Sequence, residues 1–168
     1  MVILSLDIAN SCGYAVYNGN KIINYGVWDL LKHKRGEEPQ PHIELYEQLE
    51  NITKRYEITH IVIEDAYIPT NDKEGEYKSY NASKSLLKKH GVVDLFCECY
   101  NIDYSTITPM AAKRFMFRAT NKMRRDILKA RMIEAVEDLG YILPSKHTDD
   151  AADAIGILCT YLNTKIRA

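Results

Sequence analysis

Long hydrophobic runs, paired cysteines and net charge are all scarce in this 168-residue sequence. Its apolar runs are short and interrupted by charge, well below the about 20 residues that a membrane-spanning helix needs. Residues 1–4 have neither a basic lead nor a cleavage site, so the sequence predicts no secretory signal. We therefore expect an intracellular, cytoplasmic protein that is not secreted and has no membrane segment.

The four cysteines include no Cys-x-x-Cys pair. Cys97 and Cys99 are two residues apart in a predicted helix, where their side chains point to nearly opposite sides and cannot both bind one zinc ion. Reduced, structural thiols are therefore expected.

The net charge of −1 excludes a uniformly basic nucleic-acid-binding protein, but the charge is unevenly distributed. Residues 110–132 contain eight basic side chains and one acid, Asp126. This separation suits a protein that binds a polyanion with one surface and metal ions with another. A solvated, charged helix face is the more common explanation of such a run.

Hydrophobic periodicity predicts strands at 2–8, 14–17 and 21–28, joined through an Asn-Gly-Asn turn at 18–20 into an antiparallel meander. A polar loop at 31–41 follows. The remaining pattern predicts helices at 43–56, 77–100, 109 onward, 125–139 and 149–163, with strands at 60–64 and 104–107 and a loop at 68–76. Thr108 and Thr148 are candidate N-caps, and Gly140 suits a helix C-terminus. No repeat or linker divides the chain, so we predict one α/β domain over residues 1–168.

Four acidic residues fall at the ends of predicted elements. Asp7 and Glu64 end strands, whereas Asp150 and Asp153 lie three apart at the start of the last helix, on one face. A buried carboxylate is costly unless something compensates its charge, and oxygen ligands without a His or Cys cluster favour Mg²⁺ over zinc. Taken singly, each acid could merely stabilise a helix start or close a turn.

At these residues the chain resembles the RuvC family of Holliday junction resolvases, which belongs to the ribonuclease-H-like (retroviral integrase) superfamily. The resemblance rests on residues 3–7 (ILSLD) with 13–16 (GYAV), on 61–64 (IVIE) and on 150–155 (DAADAI). The compact size and divergent middle look most like the phage-encoded branch. Two segments depart from the cellular pattern: Ile8-Ala9 stands where Pro-Gly is usual, and residues 83–91 replace a glycine-rich helix motif.

The resemblance implies a ribonuclease-H-like fold, a mixed five-stranded sheet flanked by helices. It implies a metal-dependent endonuclease that resolves four-way and related branched DNA junctions by paired symmetric nicks, leaving 5′ phosphates. Two Mg²⁺ ions per active site are expected, with Mn²⁺ able to substitute. A homodimer is expected because two symmetric sites are needed to nick opposed strands. The implied metal-binding catalytic acids are Asp7, Glu64, Asp150 and Asp153.

DNA contacts are predicted outside the acids. Tyr67, three residues after Glu64, occupies a position where the family has an aromatic side chain that stacks near the junction centre. The candidate phosphate contacts are Lys113, Lys122, Arg124 and Arg125.

A dimer contact is predicted on the helix at 77–100. Leu86, Val93 and Tyr100 recur there every seven residues, a spacing that could serve a contact between two copies of the helix. A helix packed on its own core is the alternative.

Three other functions compete. An actin-like or sugar-kinase-type ATPase also opens with a strand, an Asp and a turn, but it needs two such domains. A junction-binding architectural protein would use the acids only at helix ends, and it would bind DNA without Mg²⁺. Other ribonuclease-H-like nucleases, including those acting on RNA–DNA hybrids, share the acids.

Overall fold

A computed structural model describes residues 1–31, 38–66 and 76–166, without the side chains of 76–82 and 166. The predicted loop at 68–76 lies outside these residues except for Glu76, which begins a helix. In chain order the elements are β1 (Ile3–Asp7), β2 (Ser11–Tyr17), β3 (Ile22–Asp29), α1 (Pro41–Tyr56), β4 (His60–Glu64), α2 (Glu76–Tyr100), β5 (Asp103–Ile107), α3 (Pro109–Phe117), α4 (Arg125–Asp138) and α5 (Thr148–Ile166).

The strands form one mixed sheet in the order β3-β2-β1-β4-β5. The first three strands are an antiparallel meander, and β4 and β5 lie parallel to β1. At the tip of the β2–β3 hairpin, Gly19 has a φ of 94°, and the side-chain oxygen of Asn18 accepts hydrogen bonds from the backbone N–H groups of Asn20 and Lys21. The predicted mixed five-stranded sheet with its meander is confirmed.

The sheet separates two layers of core. Side chains alternate across a strand, so Leu4 and Leu6 of β1 pack with α1 and α2, whereas Ile3 packs with α4 and α5 on the other face. Ser5, on the α5 face, donates a hydrogen bond from its hydroxyl to the carbonyl oxygen of Ala154 at 2.8 Å. This bond fixes α5 directly against β1.

The predicted dimer stripe on α2 is wrong. Val93 is fully buried and Leu86 packs against the same core cluster. The hydroxyl of Tyr100 donates to Glu50 of α1 at 2.9 Å. Val93 and Leu86 therefore pack within their own chain, and Tyr100, although 38% exposed, is bonded to α1, so the stripe is not an open face for a second copy.

Two smaller expectations about helix starts are also corrected. Thr148 is the first residue of α5, and its hydroxyl donates to the carbonyl of Pro144 instead of capping the helix. Thr108 precedes α3 as predicted, with Pro109 next, but its side chain makes no capping hydrogen bond. No helix among the described residues has the length and apolar character needed to cross a bilayer.

Candidate active site

Asp7 and Glu64 lie side by side at the carboxyl ends of two neighbouring parallel strands. Leu6 of β1 pairs with Ile63 of β4, so the next residue of each strand falls at the same edge of the sheet. By the alternation of the strands, both carboxylates share the face of Ser5 that carries α5. The two predicted strand ends come together because β1 and β4 pair in parallel.

Gly13 allows the start of α5 to reach this edge. It pairs with Asp7 across the β1–β2 ladder, and a Cβ added to it would stand 1.9 Å from the carbonyl oxygen of Asp150. No side chain fits in that space, so the first turn of α5 lies against the backbone of β2. This contact places Asp150 and Asp153 at the same edge of the sheet as Asp7.

All four predicted acids line one cavity of about 400 Å³. Asp149 and three basic residues line it as well, namely Lys113 of α3 and Arg125 and Lys129 of α4. The cavity is thus a cluster of carboxylates with basic side chains on the α3–α4 side. Lys129 and Asp149 were not singled out from the sequence, because a basic run and a helix start each have ordinary explanations.

Burial raises the pKa of each of the four acids. The pKa of Asp7 lies well above its usual value, first through desolvation and then through repulsion from Asp153, Glu64 and Asp150. The nearby positive charge of Lys113 lowers the pKa of Asp7, Glu64 and Asp153 in part. Asp7 therefore lies at the electrostatic centre of the cluster.

Ion pairs leave most of this negative charge uncompensated. Lys129 forms an ion pair with Asp149, which lowers the pKa of that carboxyl group. Nδ1 of His147 lies 3.5 Å from Asp150. In the described ranges, Asp7, Glu64 and Asp153 have no cationic side chain within ion-pair distance.

The donor set suits a hard divalent cation, because carboxylate oxygens are the ligands that Mg²⁺ prefers and buried carboxylates need a compensating positive charge. As placed, no three His, Cys, Asp or Glu side chains of the described residues stand close enough to surround one ion. Holding a metal therefore requires the carboxylates to turn toward one another about their side-chain bonds. The residues available to do so are Asp7, Glu64, Asp150 and Asp153.

The predicted DNA contacts separate into three groups. Lys113 and Arg125 are in the cavity, whereas Lys122 is exposed between α3 and α4. Arg124 is also exposed, and its guanidinium makes two hydrogen bonds to Asp126, at 3.2 and 3.0 Å. Tyr67 lies outside the described residues.

A second cavity of about 200 Å³ shares Asp7 and Glu64 with the first and extends toward α2. Leu86 and His90 of α2 line its far side, together with Asp65. Asp7 and Glu64 thus line both cavities.

No protein-family model and no curated protein sequence matches the chain. Among solved structures, Thermus thermophilus RuvC in complex with a Holliday junction substrate matches with a TM-score of 0.68 at 12% identity, covering 98% of this chain and 94% of that one. The chain has a RuvC-like fold. A second structure of T. thermophilus RuvC matches with a TM-score of 0.62 at 14% identity, over 98% and 97% of the two chains. The yeast mitochondrial Holliday junction resolvase matches with a TM-score of 0.62 at 17% identity, covering 98% of this chain and 79% of that one.

Proposed function

We propose that this chain is a Mg²⁺-dependent endonuclease that resolves four-way and related branched DNA junctions by paired symmetric nicks. The observation that supports this most directly is the cavity in which Asp7, Glu64, Asp150 and Asp153 meet beside Lys113 and Arg125. The RuvC-like fold supports it further, because RuvC of T. thermophilus has been solved on a Holliday junction.

The four acids and the two basic residues have different roles in this proposal. Asp7, Glu64, Asp150 and Asp153 would hold the metal ions, whose positive charge would offset the repulsion that the other three acids exert on Asp7. When bound, two Mg²⁺ ions supply an activated water and stabilise the leaving 3′ oxygen, so the product carries a 5′ phosphate. Mn²⁺ is expected to substitute. Lys113 and Arg125 hold the scissile strand's phosphates against the acids.

Residues outside the cavity extend the DNA contact. Lys122 and Arg124 are exposed between α3 and α4, where they can reach phosphates farther along an arm. The stacking role of Tyr67 near the junction centre stays a prediction, as does the resemblance to the phage-encoded branch.

A homodimer is part of the proposal, with a contact surface on the exposed side of α2. Leu87 and Leu95 are 43% and 57% exposed, and Gly91 lies midway between them. A Cβ on Gly91 would meet no atom of the described residues within 4 Å, although glycine inside a helix costs about 0.5–1 kcal/mol relative to alanine. Since packing against the described residues does not require this glycine, close approach of a second helix is a reason for it.

Charge complementarity makes a second copy of α2, running antiparallel, the fitting partner. Exposed Lys88 precedes Gly91 by three residues, and exposed Asp94 follows it by three. A two-fold axis at Gly91 therefore brings Lys88 of each copy to Asp94 of the other and Leu87 to Leu95. This face is opposite to the stripe predicted from the sequence.

The test is cleavage of an end-labelled synthetic four-way junction beside a linear duplex of matching sequence, with and without Mg²⁺. We expect paired, symmetric nicks in the junction, which require Mg²⁺ and are lost in Asp153→Asn. Junction binding without metal-dependent cutting would favour the architectural protein. Cutting of an RNA–DNA hybrid in place of the junction would favour another nuclease of the superfamily.

A further inference from the structure

A third cavity, of about 160 Å³, lies on the α1 side of the sheet, behind the acids. Tyr14 follows Gly13 in β2 and points to the opposite face, where it packs with Trp28 and Tyr56 against the α1–α2 core layer. The proposed cleavage does not use this cavity. None of the described residues that line it is acidic.

Two aromatic rings form one wall. The rings of Tyr14 and Trp28 stack with their centroids 4.7 Å apart and their planes 17° from parallel. Both side chains are partly exposed, and both line the cavity. Because this stack covers one face of each ring, an unpaired nucleobase would extend the stack on an outer face, as bases do on aromatic side chains of nucleic-acid-binding proteins.

Amide groups supply hydrogen-bonding capacity beside this wall. Asn24 lines the cavity and donates from Nδ2 to the hydroxyl of Tyr56 at 3.0 Å, which leaves its amide oxygen as an acceptor. Asn51 is exposed, and its side chain makes no hydrogen bond within the described ranges. Amides provide both donors and acceptors, as the edges of a nucleobase require.

Arg55 adds a cation at the rim. Its guanidinium lies over the ring of Tyr56, 5.2 Å from the centroid, and it forms no ion pair with any described residue. A guanidinium held by an aromatic ring and without an acidic partner is suited to bind phosphate.

We propose that this cavity binds one unpaired nucleotide of single-stranded DNA, with its base against Tyr14 and Trp28 and its phosphate on Arg55. The volume, well below the about 300–1,000 Å³ typical of sites for drug-sized ligands, has room for one base, so the sugar and phosphate would lie outside it beside exposed Arg55. A free nucleoside monophosphate has the same chemistry. The site goes beyond the proposed cleavage and does not depend on it.

Trp28 is the single tryptophan of the chain, so all tryptophan fluorescence originates at the wall of this cavity. The full-length protein is titrated with an unstructured ten-residue oligodeoxynucleotide in EDTA, which prevents metal-dependent cutting. Thymidine monophosphate is titrated in parallel. Fluorescence anisotropy of a labelled oligonucleotide measures total binding, including binding by the basic α3–α4 side.

Arg55→Gln is compared with Lys54→Gln, which removes the same charge from the adjacent residue of α1. Lys54 pairs with Glu50 and does not line the cavity. We expect saturable quenching of Trp28 by the oligonucleotide, weakened about fivefold or more in Arg55→Gln and in Tyr14→Leu but not in Lys54→Gln.

Oligonucleotide binding by anisotropy without a change in Trp28 fluorescence would overturn the site. Equal quenching in the two charge variants would do the same, since the phosphate would then not be held by Arg55. Equal affinity for thymidine monophosphate and the oligonucleotide would overturn the strand as the occupant in favour of a free nucleotide. Cleavage of junctions is measured separately in Mg²⁺, so its failure leaves this result unaffected.

Discussion

Gly13 of β2 and Asp150 of α5 are in direct backbone contact, because a methyl group on Gly13 would lie 1.9 Å from the Asp150 carbonyl oxygen. Gly13 is also the ladder partner of Asp7. A single residue without a side chain thus sets the distance between the strand that carries one acid and the helix that carries two others.

Gly13→Ala should therefore destabilise the protein and displace the start of α5. The clash is with backbone, which no change of rotamer relieves, so we expect a loss at or above the upper end of the about 1–3 kcal/mol usual for overpacking. Gly26→Ala is the matched control, because its nearest contacts are atoms of the Tyr14 ring at 3.2–3.4 Å, which can shift. Denaturant unfolding measures the free energy of unfolding of both variants. Equal losses of stability would contradict the backbone contact between Gly13 and Asp150.

Asp7→Asn should abolish junction cleavage while leaving junction binding largely intact. The same change should raise the melting temperature of the metal-free protein, because it removes a charge that burial and three neighbouring acids disfavour. Mg²⁺ should raise the melting temperature of the wild type and have a smaller effect on the variant. Thermal unfolding with and without Mg²⁺ tests this, and undiminished cleavage by the variant would rule out the proposed role of Asp7.

The stability gained by Asp7→Asn should depend on pH. The raised pKa of Asp7 means that the folded state binds its proton more tightly than the unfolded chain does. The free energy of unfolding contributed by this group therefore falls as pH rises from about 4, the ordinary carboxyl pKa, through the raised value. We expect the gain in the free energy of unfolding from Asp7→Asn to be small near pH 4, about the ordinary carboxyl pKa, and to grow toward neutral pH. An advantage that is constant over this range would show that Asp7 is not titrating as described.

Binding to an uncleaved junction, measured with Asp7→Asn protein, should depend strongly on salt. Each phosphate contact contributes about 0.9 to the slope of log K against log salt for duplex DNA, so removing one by Lys122→Gln should reduce the slope by about that amount. Lys54→Gln removes the same charge from α1, outside the basic residues 110–132, and should leave the slope unchanged. Equal slopes in the two variants would remove Lys122 from the interface.

Reversing charges on α2 should dissociate and then restore the dimer. Lys88→Glu places an acid of each copy opposite Asp94 of the other, and Asp94→Lys places a base of each copy opposite Lys88 of the other. The double variant pairs opposite charges again. An exposed pair contributes about 0.2–1 kcal/mol, so with two pairs in the dimer each single change should weaken it roughly 2- to 30-fold. Sedimentation measures the dissociation constants. If the double variant is as weak as the singles, the antiparallel crossing at Gly91 is wrong.

The sequence alone determined the order of strands and helices and the placement of the four acids at the ends of elements. Alternation identifies β1 as a strand and a continuous apolar run identifies β4, and in the structure the ends of these parallel strands meet at one edge of the sheet. A spacing of three residues places Asp150 and Asp153 on one helix face in any fold.

The tertiary structure determined which surfaces of the helices and strands pack against each other. The seven-residue spacing of Leu86, Val93 and Tyr100 marks an apolar stripe, but a stripe has the same pattern whether its own chain or a second copy covers it. Likewise, the pairing of Lys129 with Asp149 and the cavity between β2, β3 and α1 depend on contacts between residues far apart in the sequence. Periodicity shows which face of a helix or strand is apolar. Only the packing of the elements determines what that face contacts.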